Sequence, residues 1–235
     1  MNDSQMEMRI QKYMSQKGIL SRRKTEEYLL KGWIKVNGEV VTELGRKIDP
    51  EKDTVELSDH VEQIKQSYTY IKVNKPRGIL TNLASDDERE VIDLLPDEYY
   101  NLHSIGRLDK DSEGLILFSD DGIFAKKFLN TSDPHEREYL VEVNIDITDE
   151  IKEELEEGIF LKGKMTKPSK VTLINSKEFH FILREGRNRQ IRKMINQVGG
   201  EVLKLQRIRI ADIKLGDLEP GEFKALTPLE MKSLH

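Results

Sequence analysis

A carboxylate at position 109 lies in a short loop bounded by glycines and followed by an apolar run. Asp109 sits between Gly106 and Gly114, and Leu115–Leu117 reads as the start of a buried strand. Loops held by a rigid strand are common positions for catalytic groups. An aspartate in such a loop is also suited to capping a backbone amide in a turn. From the residues alone, a catalytic and a structural interpretation of Asp109 both stay open.

Two segments of the chain are strongly basic, although the net charge is -5 at pH 7. Residues 9–35 carry eight lysines and arginines against two glutamates, and residues 184–209 carry the same numbers. Residues 86–157 carry 23 acidic side chains against seven basic ones, which hides both segments in the total. Local basic patches, rather than net charge, set the attraction to phosphates. Each basic segment therefore indicates either a nucleic-acid contact or a solvated face.

The composition excludes several classes of site. The 235 residues contain no cysteine, which excludes disulfides, thiolate catalysis and cysteine metal sites. The five histidines are scattered, so we expect no bound metal. No apolar run approaches the roughly 18 residues needed to cross a bilayer, and residues 1–9 lack the apolar core of a signal peptide. We therefore expect a cytoplasmic protein without membrane contact, and the length favours two domains.

The first 60 residues predict a small helix-helix-hairpin domain. Residues 8–17 and 22–31 have helical patterns that each stop at a glycine, and Ser21 has the position of an N-cap. Asn37-Gly38 lies between two short apolar runs and is a strong hairpin signal. This pattern resembles the S4-type RNA-binding domain, in which paired helices and a hairpin present a basic face to structured RNA.

Three cations open the second predicted helix. Arg22, Arg23 and Lys24 stand at its N-terminus, where positive charge opposes the helix dipole. A bound phosphate would compensate for this placement, and solvation could also tolerate it. We interpret the three side chains as RNA-binding residues.

Residues 61–67 are polar, lack clear periodicity and predict a linker, after which residues 68–235 predict a larger domain. Strands are predicted at 68–74, 79–81, 115–119, 139–143, 170–174, 179–183 and 202–210, and helices at 122–129, 148–157 and 188–198. Many strands with few helices between them indicate an α+β domain with a mainly antiparallel, mixed sheet flanked by helices.

Several motifs in this larger domain occur in the order of one enzyme family. Gly106–Asp109 matches the signature of pseudouridine synthases, and its extension Lys110–Leu115 resembles the RsuA/RluB/RluE/RluF group. Further matches in the same order are Val73–Gly78, Arg137–Val141, Glu185–Met194, Leu215–Leu218 and Pro220–Phe223. The resemblance covers nearly the whole chain. It implies an isomerase that detaches uracil from ribose, turns it and rejoins it through carbon 5 without a cofactor.

The resemblance also implies roles for individual residues. Asp109 is implied to be the catalytic carboxylate, as a nucleophile on the base or ribose or as the base in an elimination. Arg192 is implied to form a salt bridge to Asp109, and Tyr139 to stack on the uracil and handle the proton at carbon 5. A uridine must leave its stack to reach such a site, and Arg107 is implied to fill the gap that it leaves.

Three more basic residues in the matched motifs are expected to contact RNA. They are Lys75 in the Val73–Gly78 segment, and Arg187 and Arg189 in the Glu185–Met194 segment. The expected partner is ribosomal RNA, bound by a monomer. The segments Asp133–Tyr139 and Gly163–Pro168 look most like the RluF branch, which favours large-subunit 23S rRNA as substrate.

Other functions are compatible with parts of this pattern. A pseudouridine synthase could act on small-subunit rRNA or on tRNA instead. A non-catalytic RNA-binding or ribosome-assembly protein would not need Asp109, Tyr139 and Arg192 together. A carboxylate-dependent hydrolase of glycosidic bonds would need a second carboxylic acid, and nothing marks the nearby Asp111 or Glu113 as that partner.

Overall fold

The computed structural model describes residues 7–65, 67–82, 88–129 and 135–232. The chain forms two compact units, one made of residues 1–69 and 119–127 and the other of residues 70–118 and 128–235. The sequence placed residues 119–127 in the second domain, whereas here they belong to the first unit. Among the described residues, no helix is long and apolar enough to span a bilayer.

The first unit combines short helices with short strands, as the sequence predicts. In chain order its elements are β1 (Met8–Arg9), α1 (Ile10–Gln16), α2 (Arg22–Leu30), β2 (Ile34–Val36), β3 (Glu39–Val40), β4 (Lys47–Ile48), β5 (Val55–Leu57) and α3 (Asp59–Lys65). The Ser21 hydroxyl accepts a hydrogen bond from Lys24 N at 3.3 Å, which confirms the predicted N-cap. Asn37 and Gly38 both have positive φ, at 53° and 82°, so the predicted hairpin turn is confirmed.

The predicted linker over residues 61–67 is wrong for most of its length, because residues 59–65 form helix α3. Val61 is 0% exposed and belongs to the same buried cluster as Tyr28, Leu29 and Ile34. Ile64, one helical turn later, is partly buried against that cluster. Two apolar residues at helical spacing are too few to stand out in a polar sequence, yet their burial is enough to order the segment.

The second unit is built on one large sheet. Its first strands are β6 (Tyr70–Lys75), β7 (His103–Ile105) and β8 (Glu113–Ser119). The next helix in the chain, α4 (Gly122–Phe128), lies mostly in the first unit. The second unit continues with β9 (Arg137–Val143), α5 (Asp149–Glu157), β10 (Phe160–Leu161), β11 (Lys164–Met165), β12 (Lys170–Leu173), β13 (Glu178–Leu183), α6 (Gln190–Gln197), β14 (Val202–Ile210), β15 (Ile213–Lys214), β16 (Phe223–Ala225) and α7 (Pro228–Lys232). Two single-turn 3-10 helices lie between β6 and β7, at Val91–Leu94 and Asp97–Tyr99.

The strand order of the large sheet is β12-β13-β9-β14-β8-β6-β16. Strand β14 pairs antiparallel with β9 and parallel with β8, which makes the sheet mixed as predicted. Inward residues alternate along β13, where Phe179, Phe181 and Leu183 join a buried cluster with α6 residues such as Met194. The predicted strand at 79–81 is replaced by a single bridge between Leu80 and Glu90.

One glycine allows the parallel pair to form beside the candidate catalytic loop. Gly114 has a φ of +102° and lies opposite Arg207 in the β8/β14 register. A Cβ atom at this position would lie 2.3 Å from Arg207 O, which no real side chain tolerates. The closing glycine of the loop is therefore required by close backbone approach.

Replacing Val61 with alanine should destabilise the first unit, because the change leaves a cavity in its core. We expect the free energy of unfolding to fall by about 1–3 kcal/mol. The chain has a single tryptophan, Trp33, whose ring lies 5.8 Å from the ring of His60 in α3. Urea unfolding followed by Trp33 fluorescence measures the change. The matched control is Gln63→Ala on the exposed face of α3, and equal stability of both variants would contradict the packing of this helix.

Candidate active site

The loop from Gly106 to Ser112, which joins β7 to β8, presents Asp109. Thr81 is buried and fixes the loop before Asp109, because its hydroxyl accepts from Leu108 N at 3.0 Å and donates to Leu108 O at 2.8 Å. Ser112 N donates to Asp109 O at 3.0 Å and closes a turn after it. The backbone on both sides of Asp109 is thus held by hydrogen bonds, and its carboxylate is left partly exposed.

Lys75 lies under this loop and is not an RNA-binding residue, which corrects the prediction. Its side chain is 0% exposed, and its Nζ donates to Ser112 O at 2.7 Å and to Pro76 O at 3.0 Å, with Lys110 O at 3.5 Å. Burial lowers the pKa of Lys75 to about 8, and the nearby carboxylates of Asp111 and Asp109 offset part of that shift. The loop carbonyls point inward and need a donor, which Lys75 supplies.

The predicted salt bridge between Arg192 and Asp109 is not formed. Arg192 Nε instead lies 3.2 Å from Asp111 Oδ2, and its Nη2 and Nη1 donate to Asp111 O at 2.9 Å and Val202 O at 3.1 Å. Two hydrogen bonds and one ion pair thus join the loop and Val202 to α6, while Arg192 Nε makes no hydrogen bond within the described part of the chain. Arg192 therefore positions Asp111, two residues after the candidate catalytic residue. It contacts both the main-chain carbonyl and the side-chain carboxylate of Asp111.

Arg189 is the cation nearest to Asp109 in the described structure. Its Nη1 lies 3.7 Å from Asp109 Oδ2, and its two terminal nitrogens donate to the two carboxylate oxygens of Asp111 at 2.9 Å each. This bidentate pair lowers the pKa of Asp111. Arg189 has a φ of 51°, so a left-handed, non-glycine residue precedes α6 and is held there by the pair.

A cavity of about 350 Å³ opens beside the loop, within the size range of small-ligand sites. Asp109, Arg107 and Tyr139 all line it, so the structure brings these three predicted residues together. Tyr139 is half-buried on β9, and Arg107 is exposed. Apolar lining comes from Ile105, Leu108, Phe128, Leu183, Leu205 and Ile210. The cavity thus combines the Asp109 carboxylate and the Tyr139 ring with an apolar wall.

Arg207 also lines this cavity and was missed by the sequence analysis. It is 3% exposed, its Nε donates to Leu115 O at 2.7 Å, and it lies opposite Tyr139 in the β9/β14 register. Burial lowers the pKa of Arg207, and the contact with Tyr139 opposes that shift. Its Nη2 has no partner within the described part of the chain. The one signal that could have identified Arg207 as a site residue is its position opposite Gly114 in the β8/β14 pair. The register of strand pairing cannot be read from the sequence.

Arg187 lies at the rim of the cavity but is committed to protein contacts. Its Nη1 donates to Lys164 O at 2.9 Å, its Nη2 donates to Met165 O, and its Nε lies 3.1 Å from the Glu185 carboxylate. That Arg187 contacts RNA stays a prediction, because its side chain is 26% exposed although three of its nitrogens already have protein partners. Its donors satisfy main-chain carbonyls of the β10–β11 hairpin, which need partners at that position.

The three predicted RNA-binding cations of the first unit differ in their surroundings. Arg22 and Arg23 are exposed on the first turn of α2. Lys24 is half-buried, lies 3.1 Å from Glu27 and sits over the ring of Tyr28. Among the described residues, no three histidine or acidic side chains come together as metal ligands.

Comparison with known protein families gives two matches. Residues 69–197 match the family model described as RNA pseudouridylate synthase, and residues 8–55 match the S4 domain. The first match spans more than half of the chain and includes Asp109, Tyr139 and Arg192. The second contains helices α1 and α2 and the hairpin that follows them.

Three named relatives match along nearly the whole chain. Ribosomal large subunit pseudouridine synthase B of Bacillus subtilis is 36% identical over 96% of this chain and 95% of its own length. The dual-specificity RNA pseudouridine synthase RluF of Escherichia coli is 34% identical over 97% and 78%. Ribosomal small subunit pseudouridine synthase A of Yersinia pestis is 32% identical over 97% and 98%. The three identities are similar, so the RluF branch stays a prediction, and residues 133–134 of its supporting segment lie outside the described residues.

A solved crystal structure of a pseudouridylate synthase has a similar fold. It superposes with a TM-score of 0.72 and 28% identity, covering 97% of this chain and all of the other. The predicted α+β class and the order of the two domain types are therefore confirmed.

Replacing Arg192 with methionine should lower the free energy of unfolding by about 2 kcal/mol, because the carbonyls of Val202 and Asp111 lose a donor. Arg189→Met is the matched comparison, since its side chain is 42% exposed and should change stability by less than about 1 kcal/mol. Urea denaturation followed by circular dichroism measures both. Equal stability of the Arg192 variant and the parent would mean that Arg192 does not hold the loop.

Proposed function

This chain belongs to the RNA pseudouridylate synthase family, and from that premise we propose that it converts one specific uridine of ribosomal RNA, in the large subunit, to pseudouridine. The observation that carries the proposal is the shared cavity in which Asp109, Tyr139 and Arg107 meet. We propose that it does so as a monomer in the cytoplasm. The relatives act on large-subunit or small-subunit RNA by name, which supports ribosomal RNA as the substrate class.

The reaction needs a carboxylate beside a cavity that can hold a detached base. The bond between uracil N1 and ribose C1′ breaks, the base turns, a bond forms between C5 and C1′, and the C5 proton leaves while N1 gains one. Asp109 serves as nucleophile or as base, and both roles need its ionised form. Arg189 Nη1 lies 3.7 Å from Asp109 Oδ2 and places a positive charge beside the carboxylate.

The cavity walls suit the intermediate stage of the reaction. Apolar side chains such as Leu205 and Ile210 exclude water, so the detached uracil is retained while it turns. Tyr139 stacks on the base and takes part in removing the C5 proton. Its cross-strand neighbour, the buried Arg207, lines the same cavity wall. Arg107, exposed at the mouth, enters the gap that the flipped nucleotide leaves in the RNA.

The surroundings of the neighbouring carboxylates disfavour a glycosidic hydrolase. Such an enzyme needs a protonated carboxylic acid near the first carboxylate. Asp111 is bound by Arg189 and Arg192, which lowers its pKa, and Glu113 lies 3.5 Å from Lys204 Nζ. Asp111 is therefore held in the charged form, and Glu113 has a cationic partner. A purely RNA-binding function would leave the cavity and its carboxylate without a role.

Asp109→Asn should reduce isomerisation at least about 1,000-fold, because it removes the reacting carboxylate and little volume. The measurement is tritium release from 16S and 23S rRNA transcripts labelled at uridine C5, with filter binding to check that RNA affinity survives. The matched control is Asp97→Asn, an exposed aspartate of the same unit. Residual turnover above a few per cent would remove Asp109 from the chemical step.

We also propose that the S4 domain supplies affinity and no chemistry. The double variant Arg22→Ala with Arg23→Ala should raise the half-saturating RNA concentration, because two phosphate contacts are lost. The slope of the logarithm of the binding constant against the logarithm of the salt concentration should become shallower by about 1.4–1.8. The single-turnover rate at saturating RNA should not change. The control pair is Lys47→Ala with Lys52→Ala, two exposed lysines that face Glu7 and Asp49. A collapsed maximal rate with unchanged half-saturation would contradict this division of roles.

A further inference from the structure

The β10–β11 hairpin exposes two large apolar side chains next to each other. Phe160 and Met165 are cross-strand neighbours and are 62% and 50% exposed. Single exposed apolar residues are common on protein surfaces. Here two of them share one face of a hairpin tip and form a continuous apolar surface, which is the kind of feature that marks a binding surface.

This hairpin is held in place by the core beneath it. Ile159 and Leu161, on either side of Phe160, are buried in the main cluster of the second unit. Thr166 closes its base, because its N donates to Ile159 O at 3.0 Å and its hydroxyl accepts from Ile159 N at 2.9 Å. Phe160 is therefore presented from a fixed backbone, and ordering it on a partner costs little entropy.

The hairpin is also fastened to the rim of the candidate active site. Arg187 lines the cavity and donates to the carbonyls of Lys164 and Met165. Glu185 pairs with Arg187 and accepts from Lys167 N at 3.0 Å. The apolar tip and the cavity are thus joined through one set of hydrogen bonds, so a molecule that fills the cavity lies close to the hairpin.

The hairpin segment itself carries only positive charge. Residues 158–170 contain four lysines and no acidic residue. Lys162, Lys164, Lys167 and Lys170 are all exposed. A second copy of the chain meeting this face symmetrically would bring lysines against lysines, which opposes self-association. An aromatic ring among cations is instead the arrangement that binds single-stranded nucleic acid.

We propose that the Phe160–Met165 hairpin is a second RNA contact of the catalytic unit, on which an unpaired base near the target uridine stacks while Lys162 and Lys164 pair with phosphates. This inference rests on the proposed RNA substrate and adds a named surface to it.

The test compares variants that alter the ring, the charge, or neither. Phe160→Ala should raise the half-saturating concentration of rRNA transcript about 10-fold, within the range for loss of one stacked base, without changing the salt dependence. Lys162→Ala with Lys164→Ala should flatten the salt dependence. Both should keep the single-turnover rate at saturating RNA. The matched control is Tyr100→Ala, a 54% exposed aromatic beside the acidic Asp97 and Glu98, which should bind as the parent does.

Several outcomes would overturn the proposal. The proposal fails if Phe160→Ala has the same half-saturating RNA concentration as the parent. It also fails if Tyr100→Ala raises that concentration as much as Phe160→Ala does. Concentration-dependent dimerisation that Phe160→Ala abolishes would assign the surface to a second copy. If the parent chain binds transcripts but releases no tritium, the proposed function fails by itself. The hairpin is then judged by filter binding alone, where equal affinity of the Phe160 variant and the parent rejects it.

Discussion

The site depends on a cation buried beneath the candidate catalytic loop. Between Asp109 and β8 the chain turns its carbonyls inward, and Lys75 supplies the ammonium that they share. Burying that charge has a cost, expressed as a pKa of about 8 against an ordinary 10.5. Between these two pH values Lys75 loses its proton in the folded protein and keeps it in the unfolded chain. Burial of Lys75 therefore lowers the free energy of unfolding by its full amount below pH 8, and by less as the pH rises toward 10.5. At neutral pH the ammonium stays charged, and the loop keeps its shape at the expense of some stability.

A second interaction joins this loop to a distant part of the chain. The Asp111 carboxylate accepts two hydrogen bonds from Arg189 and forms an ion pair with Arg192 Nε. The Asp111 main-chain carbonyl accepts a hydrogen bond from Arg192 Nη2. The loop and α6 are about eighty residues apart in sequence, so this contact forms only when β14 and β8 are paired. Gly114 permits that pairing by leaving room for Arg207 O. The position of Asp109 is thus set by the contacts of Asp111 and Gly114, while its own carboxylate stays partly exposed at the cavity.

Local features of the sequence predict local structure well here. The Ser21 cap and the Asn37-Gly38 turn depend on residues a few positions apart, and both are found. The role of Lys75 depends on where carbonyls far along the chain point, which no local pattern contains. Helix α3 was missed because burial of Val61 and Ile64 is decided by the core that they meet. The family motifs identify Asp109 and Tyr139 correctly as neighbours at one cavity, yet they do not say which arginine pairs with which carboxylate.

The arginine-rich segment 184–209 illustrates why charge counted along a sequence overstates what is available to phosphates. Its eight cations all have partners inside the protein: Arg184 with Glu136, Arg187 with Lys164 O, Arg189 and Arg192 with Asp111, Lys193 with Asn188, Lys204 with Glu113, Arg207 with Leu115 O, and Arg209 with Glu138. A guanidinium has five donors, and each one given to a carbonyl is withdrawn from an anionic ligand. Arg22, Arg23 and Arg107 are exposed, and so are the hairpin lysines. Much of the positive charge in this segment is therefore shared with protein groups, even where the side chain is exposed, as in Arg184 (66%) and Arg189 (42%). Exposed cations elsewhere in the chain add positive charge that a count over this segment does not include.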